Sequence, residues 1–260
     1  MKKLSAFLMS IFFLIAVGSV QAKDWKKVRI GIEGAYPPFS SIGADGKPQG
    51  FDIDIAMALC KEMGAECKLI AQDWDGIIPA LLARKYDAII ASMSITEERK
   101  KKVDFTEKYY NSPAKFAVKK GTMADFTKEG TKAAIKGKTV GVQRETIFDR
   151  FLTDNYDKDV TIKRYGSQDD VYLDMLSGRL DMMMADSIAM TDGFLKKDGK
   201  DFELVGPSYS DPKWFGDGAG IAIRKGEDDL KMKFNKAIKA IRANGTYKKI
   251  NDKYFKIDIY

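Results

Sequence analysis

The chain has 260 residues, 45% of them hydrophobic, with 44 basic and 37 acidic side chains and a formal net charge of +7; this length suits one large domain or two modest ones. It contains no histidine, which excludes a Ser–His–Asp triad, a Cys–His dyad and a His-ligated zinc centre but leaves carboxylate, lysine and tyrosine chemistry open. Charges of both signs are interspersed, apart from the run Arg99 to Lys102, which reads as a solvated surface rather than a nucleic-acid footprint.

Lys2 and Lys3 precede the apolar stretch AFLMSIFFLIAVGSV, and small residues close it at Val20 to Ala22. That is the pattern of a secretory signal peptide over 1–22, cleaved after Ala22. A membrane span is the rival reading. It is disfavoured because the run is short, contains Ser and Gly, and leads at once into KDWKK without a stop-transfer pattern. No cysteine follows the apolar core, which argues against a lipid anchor. Loss of Lys2 and Lys3 leaves 42 bases against 37 acids, a net charge of +5, on a protein expected to be exported and soluble.

The first strand is KVRIGIE, ending on Glu33, and EGAYPPFS follows. Its prolines fix φ and keep the segment extended, so a carboxylate and an aromatic face share one rigid loop. That pairing suits a cation on a flat or greasy stem; the alternative is a surface turn with a solvated glutamate. After the turn GADGKPQG, apolar residues recur at helical spacing from Phe51 to Met63. ECKLIAQ reads as a strand, DGIIPALLARK as a helix and YDAIIAS as a strand buried on both faces. TEERKKK is a short helix whose acids and bases match its dipole. Cys60 and Cys67 are the only cysteines. In an oxidising compartment so close a pair is expected to bridge, contributing about 2.5 kcal/mol in the chain-entropy model. A metal or redox pair is disfavoured, because the spacing is not CxxC and histidine is absent.

The rhythm resumes after Pro113. KTVGV, VTIKRY, RLDMMMAD and FELVG read as strands; TIFDRFLTDNY, SQDDVYLDMLSG and SIAMTDGFLKK read as helices between them. Two helical segments, EDDLKMKFNKAIKAIRANG and TYKKINDKYF, close the chain. Alternating units of this kind predict parallel sheets covered by helices, here as two blocks near 100 residues each with a boundary near Tyr109 to Ala114. GDGAG (Gly216 to Gly220) brings its third glycine one residue too early for a dinucleotide fingerprint and reads as a bulged or hinge-side strand. Met182 to Met184 read as packing.

In open α/β sheets, ligands sit beyond the carboxyl ends of strands and at helix N-termini. Those exits carry Glu33, Trp74 with Asp75, the segment ASMSITEER, Gln143 to Thr146, and Asp186. A buried zwitterion needs a guanidinium for its carboxylate, which Arg99 with Ser94 can supply, and an acid for its ammonium, which Asp186 can supply. A cationic side chain needs a further acid and an aromatic face, which Glu33, Tyr36 and Trp74 fit. The plainer readings pair Arg99 with Glu97, Glu98 or Asp104, make Asp186 an N-cap, and place Trp74 in the core.

From about residue 26 to 260 the sequence resembles the polar amino-acid family of periplasmic solute-binding proteins that serve ABC importers, in particular the lysine/arginine/ornithine, arginine and opine binders. The motifs are EGAYPPF, GFDIDIAMALC, QDWDGIIPALLARKYDAIIASMSIT, GKTVGVQ, SGRLD followed by AD, and KWFGDGAGIAIRKG. The resemblance implies an α/β fold of two Rossmann-like lobes joined by two hinge strands, the type II periplasmic binding protein arrangement. The crossings fall near Asn111 to Ala114 and Tyr209 to Phe215, so lobe 1 is 23–112 plus 214–260 and lobe 2 is 113–213. It further implies Arg99 as carboxylate clamp, Asp186 as ammonium partner assisted by Ser92 and Ser94, and Thr146 reaching the carboxylate from lobe 2. Tyr36 and Trp74 become aromatic walls, Glu33 the acid for a basic side chain, and Cys60–Cys67 the disulfide of cationic members. Ala91, Met93 and Gln143 complete the implied ligand set; Ala91 stands where lysine/arginine/ornithine binders often carry serine. The implied function is a non-catalytic, cofactor-free, metal-free monomer that passes a cationic L-amino acid to an inner-membrane permease. Arginine is the first ligand, then lysine, ornithine and histidine. An opine (octopine or nopaline) binder and an exported cyclohexadienyl dehydratase on the same scaffold are the alternatives.

Overall fold

A computed structural model describes residues 24–122, 124–127 and 130–260; the expected signal peptide and its cleavage point lie outside them. The chain runs β1 (Lys27–Ile32), β2 (Ala35–Tyr36), β3 (Ser40–Ile42), β4 (Pro48–Gln49), α1 (Phe51–Glu62), β5 (Glu66–Ala71), α2 (Trp74–Leu82), β6 (Ala88–Ile89), α3 (Glu97–Lys100) and β7 (Val103–Tyr110). It continues with β8 (Ala114–Lys119), α4 (Thr131–Ile135), β9 (Thr139–Gln143), α5 (Ile147–Tyr156), β10 (Thr161–Tyr165), α6 (Gln168–Leu176) and β11 (Met182–Asp186). After a π-type helix at Ala189–Leu195 come β12 (Phe202–Tyr209), α7 (Pro212–Phe215), β13 (Ala219–Arg224), α8 (Asp228–Ala243) and α9 (Thr246–Tyr254).

Two five-stranded sheets organise the molecule, one in the order β5-β1-β6-β13-β7 and the other β10-β9-β11-β8-β12. Each is parallel where βαβ units build it, with β1 beside β5 and β6, and β9 beside β10 and β11. Antiparallel pairs complete each sheet, β13 against β6 and β7, and β8 against β11 and β12. The tail thus returns to the first sheet, where contiguous blocks had been read from the periodicity. Register shifts between Ala219 and Ala222 make β13 a bulged strand, as GDGAG had suggested.

Side chains of a strand alternate between faces, and this divides the first core. Val28, Ile30, Ile32, Ala88, Ile90, Ile221 and Ile223 pack under α1, α8 and α9, while Ile89 and Ala222 meet Ile77, Leu81 and Tyr86 on the α2 side. Gly31 is required there, since a Cβ would come within 2.5 Å of the Tyr86 ring. Helix α8 follows the same logic at period 3.6, burying Leu230, Phe234, Ala237, Ile238 and Ile241. The second sheet has its own core, including Phe116, Val140, Val142, Leu152 and Met182 to Met184, so the methionines are packing.

A buried ion cluster ties the returning strand in place. Arg224 donates to the carbonyls of Leu81 (2.9 Å) and Tyr86 (2.6 Å), to Asp87 (3.4 Å) and to Glu227 (2.9 Å). Arg29 of β1 donates to the same Asp87 at 3.0 and 3.1 Å. Such a network is costly to break on one side only, because the remaining charge stays buried. Cys60 and Cys67 form a disulfide with Cα atoms 6.1 Å apart, linking the end of α1 to β5.

Two expected elements differ. The strand expected over YDAIIAS is reduced to Ala88–Ile89; Ile90 N–H still bonds to the Gly31 carbonyl at 3.0 Å, and the chain then turns at Ser92, whose φ of +51° is left-handed. SIAMTDGFLKK forms the π-type helix rather than an α-helix.

Candidate functional site

A cavity of about 560 Å³, including its mouth, lies where the strands of both sheets end. Glu33, Tyr36, Trp74, Ala91, Ser92, Ser94 and Arg99 line it from segments around the first sheet, and Gln143, Thr146 and Asp186 from the second. The structure therefore brings together ten of the expected ligand residues. Met93 is the exception. Its side chain is fully buried beside Trp74, Ile77 and Leu81, and its carbonyl accepts from Gly220 N–H at 3.0 Å; lying between Ser92 and Ser94, it faces the other way.

Arg99 is carried by α3, whose N-cap Thr96 accepts from the Arg99 N–H at 3.3 Å. Its guanidinium donates to the Ser94 carbonyl at 3.0 Å and lies 5.2 Å from the centroid of the Trp74 ring. Among the described residues no carboxylate comes within ion-pair range of it, so the pairings with Glu97, Glu98 or Asp104 do not form. Burial pulls its pKa down to about 10, which still leaves a full positive charge at neutral pH, held by one carbonyl and one aromatic face. Trp74 both lines the cavity and packs in the core beneath it.

Asp186 ends β11 and plays two parts. Its Oδ1 accepts from the N–H groups of Ile188 (2.8 Å) and Ala189 (3.0 Å), capping the next turn, while the residue also forms part of the cavity wall. Burial raises its pKa to about 6, against the pull of those N–H groups and of the Ser112 hydroxyl. Glu33 is raised further, to about 7. Burial is the main cause, opposed by the bond from Gln143, and Asp169, Asp52 and Asp73 add repulsion.

Thr146 caps α5, accepting from Asp149 N–H at 3.2 Å and donating to the Gln143 carbonyl at 2.7 Å. Its hydroxyl is engaged, so what this position offers an anion is the set of unpaired N–H groups at the start of α5.

The two sheets meet across this cavity. Gln143 Nε2 donates to Glu33 Oε1 at 2.5 Å and to the Gly166 carbonyl at 3.2 Å. Arg144 pairs with Asp75 and Arg150 with Glu98, each joining residues that flank different sheets. Gly193 abuts Pro37 so closely that a Cβ would lie 2.3 Å from the Pro37 carbonyl oxygen. The molecule is closed around the cavity.

Sequence reasoning did not identify Tyr110 and Phe148, which add apolar surface to the wall, nor Gly218, and it read Asn111, Ser112 and Phe215 only as parts of the crossings. It also did not identify Asp52, buried just behind Ser92. The available signal was that Asp52 lies between Phe51 and Ile53 at the start of an apolar helix face.

Residues 28–257 match the model of the bacterial extracellular solute-binding proteins, family 3. An L-arginine-binding protein of Pseudomonas aeruginosa is 52% identical over 237 residues, covering 90% of each chain. The lysine/arginine/ornithine-binding periplasmic protein of Escherichia coli K12 is 39% identical over 262 residues, covering 100% of this chain and 99% of that one. In structure the chain resembles a Salmonella typhimurium periplasmic binding protein described for high arginine specificity, with a TM-score of 0.81 and 34% identity, over 89% of this chain and 100% of the other.

Proposed function

The chain belongs to family 3 of the bacterial extracellular solute-binding proteins, and on that premise we propose that it captures cationic L-amino acids, arginine first, for an ABC importer. The observation that carries this reading is the charge of the cavity wall. Glu33 and Asp186 supply two carboxyls and Arg99 one guanidinium, a balance of −1 when all are ionised. Arginine, with two cationic groups and one carboxylate, carries +1. In this reading Arg99 and the start of α5 take the ligand's carboxylate, Asp186 with Ser92 and Ser94 takes its ammonium, and Glu33 with Gln143 takes the guanidinium. Tyr36 and Trp74 flank the aliphatic stem, and Ala91 leaves room beside it.

The lobes are 23–112 with 214–260, and 113–213. Ligand touching both stabilises the closed state by its differential affinity for it, and the permease reads that shape. The protein works without catalysis as a monomer in the periplasm, after removal of residues 1–22. A screen of melting temperature against arginine, lysine, ornithine, histidine, octopine, nopaline and glutamate tests this directly, since a ligand that binds only the native state raises stability with its concentration. Arginine is expected to give the largest shift and glutamate none. No shift with any cationic amino acid, or measurable turnover of prephenate or arogenate, refutes the reading.

A further inference from the structure

Asp52 is fully buried in the first turn of α1, is not among the residues that line the cavity, and hydrogen-bonds to one that is, Ser92. Its Oδ2 accepts from the Ser92 hydroxyl at 2.9 Å, and its Oδ1 accepts from the Tyr109 hydroxyl at 3.0 Å. Tyr109 in turn accepts from the Ser92 N–H at 3.1 Å. Both protons of Ser92 are therefore spent inward. Burial raises the Asp52 pKa to about 7, and a cation bound nearby favours its ionised form; that form has no proton to give back, so with ligand present Ser92 has only lone pairs, on its carbonyl and Oγ, for use toward the cavity. That is the polarity an ammonium group requires.

The backbone of Ser92 adds a second observation. Its φ of +51° lies in the left-handed region that residues with a Cβ rarely occupy, and such strain persists only where the surroundings over-determine it. Here the surroundings are Asp52 from α1 and Tyr109 from β7, which grip one residue by its side chain and its backbone.

We propose that Asp52 is a positioning residue that, with Tyr109, clamps Ser92 as an obligate hydrogen-bond acceptor for the α-ammonium group of the ligand. The proposal rests on the amino-acid-binding reading above. Asp52 lies behind the wall, and its hydrogen-bonding effect on the cavity passes through Ser92; the repulsion it adds to Glu33 is a separate effect, which Ser92→Ala does not share.

The test compares wild type, Asp52→Asn, Ser92→Ala and the double variant, titrated with arginine and with 5-guanidinopentanoate, which is arginine without its α-amino group. Asp52→Asn keeps the shape but can accept from only one of the two hydroxyls and turns a donor on the other, so the clamp breaks either at Ser92 itself or at the Tyr109 that holds its N–H; arginine is expected to weaken at least tenfold. Ser92→Ala is expected to do the same, and the double variant to be no weaker than the weaker single one. The melting-temperature shift given by millimolar 5-guanidinopentanoate is expected to stay within about twofold throughout, which a merely structural role for Asp52 does not produce. Tyr109→Phe is the second variant should Asp52→Asn fail to fold, with the same ligand-selective pattern expected. Losses that multiply in the double variant, or that fall equally on both ligands, overturn the proposal. Failure of the wild type to bind arginine at all overturns the functional reading instead.

Discussion

Replacing Glu33 by glutamine removes one negative charge and almost no volume. The structure separates its two consequences. Gln143 Nε2 donates to Glu33 Oε1 at 2.5 Å, and a glutamine carbonyl can accept that bond unchanged. Burial opposes the charge of Glu33, whose pKa rises to about 7, so the unliganded variant is expected to melt no lower than wild type. Binding is where the loss falls. A hydrogen bond to a charged group contributes about 1.5–3 kcal/mol, and keeping a neutral acceptor recovers part of it. The net penalty for arginine is then about 2 kcal/mol, or roughly thirtyfold in affinity. Citrulline, the neutral counterpart of arginine, has no charge to lose and is expected to change by less than about threefold. Calorimetric titration at pH 8 with arginine, lysine and citrulline reads both numbers. Equal losses for arginine and citrulline, or arginine bound as tightly as by wild type, refute the assignment of Glu33 to the side-chain end.

Arg99→Ala removes the only guanidinium that the described residues bring to the wall and is expected to weaken arginine, lysine and histidine alike, by about 3 kcal/mol or roughly a hundredfold; competition against labelled arginine checks it. Glu33, Asp52 and Asp186 all titrate higher than ordinary carboxyls, to about 7, 7 and 6. Their contribution to the empty protein's stability is therefore present below about pH 4 and lost as pH rises through 6 to 7. A cationic ligand favours their ionised forms, so the melting-temperature shift at fixed arginine is expected to grow between pH 5 and pH 8, and to grow less in Glu33→Gln. Arg224→Ala leaves Asp87 and Glu227 short of a partner away from the cavity. It is expected to lower unfolding stability by about 3–5 kcal/mol in urea melts, with arginine affinity unchanged.

The elements legible in the sequence were those whose pattern is set locally. α1, α5, α6 and α8 follow their apolar spacing to within a residue or two, and β1, β5, β9 and β11 follow their apolar runs. The short strands β2, β3 and β4 escaped reading inside segments taken as loop and turn, and so did two strands of the main sheets, β7 and β8, which carry charged and polar residues among their apolar ones. β7 and β8 are strands because β13, more than a hundred residues later, pairs with β7, and because β11 and β12 hold β8. Site residues followed the same division. Glu33, Gln143 and Asp186 were visible because they end strands, a position that carries meaning in α/β sheets. Asp52 was hidden because an acid in a helix's first turn ordinarily answers the helix dipole at the surface, and only the tertiary approach of Ser92 and Tyr109 gives this one another task. Met93 was misplaced by adjacency, being one residue from two wall positions and on the opposite side of the chain.

The position of β13 between β6 and β7 has a consequence for biogenesis. During vectorial synthesis β7 emerges long before the neighbour that will join it to β6, so the early half of the chain holds an unfinished sheet with a gap at its middle. Non-local closure of this kind is slow compared with helix formation. The keystone strand of the first sheet, Ala219–Arg224, thus comes from the last fifth of the sequence, and the sheet closes only when nearly all of the chain is present.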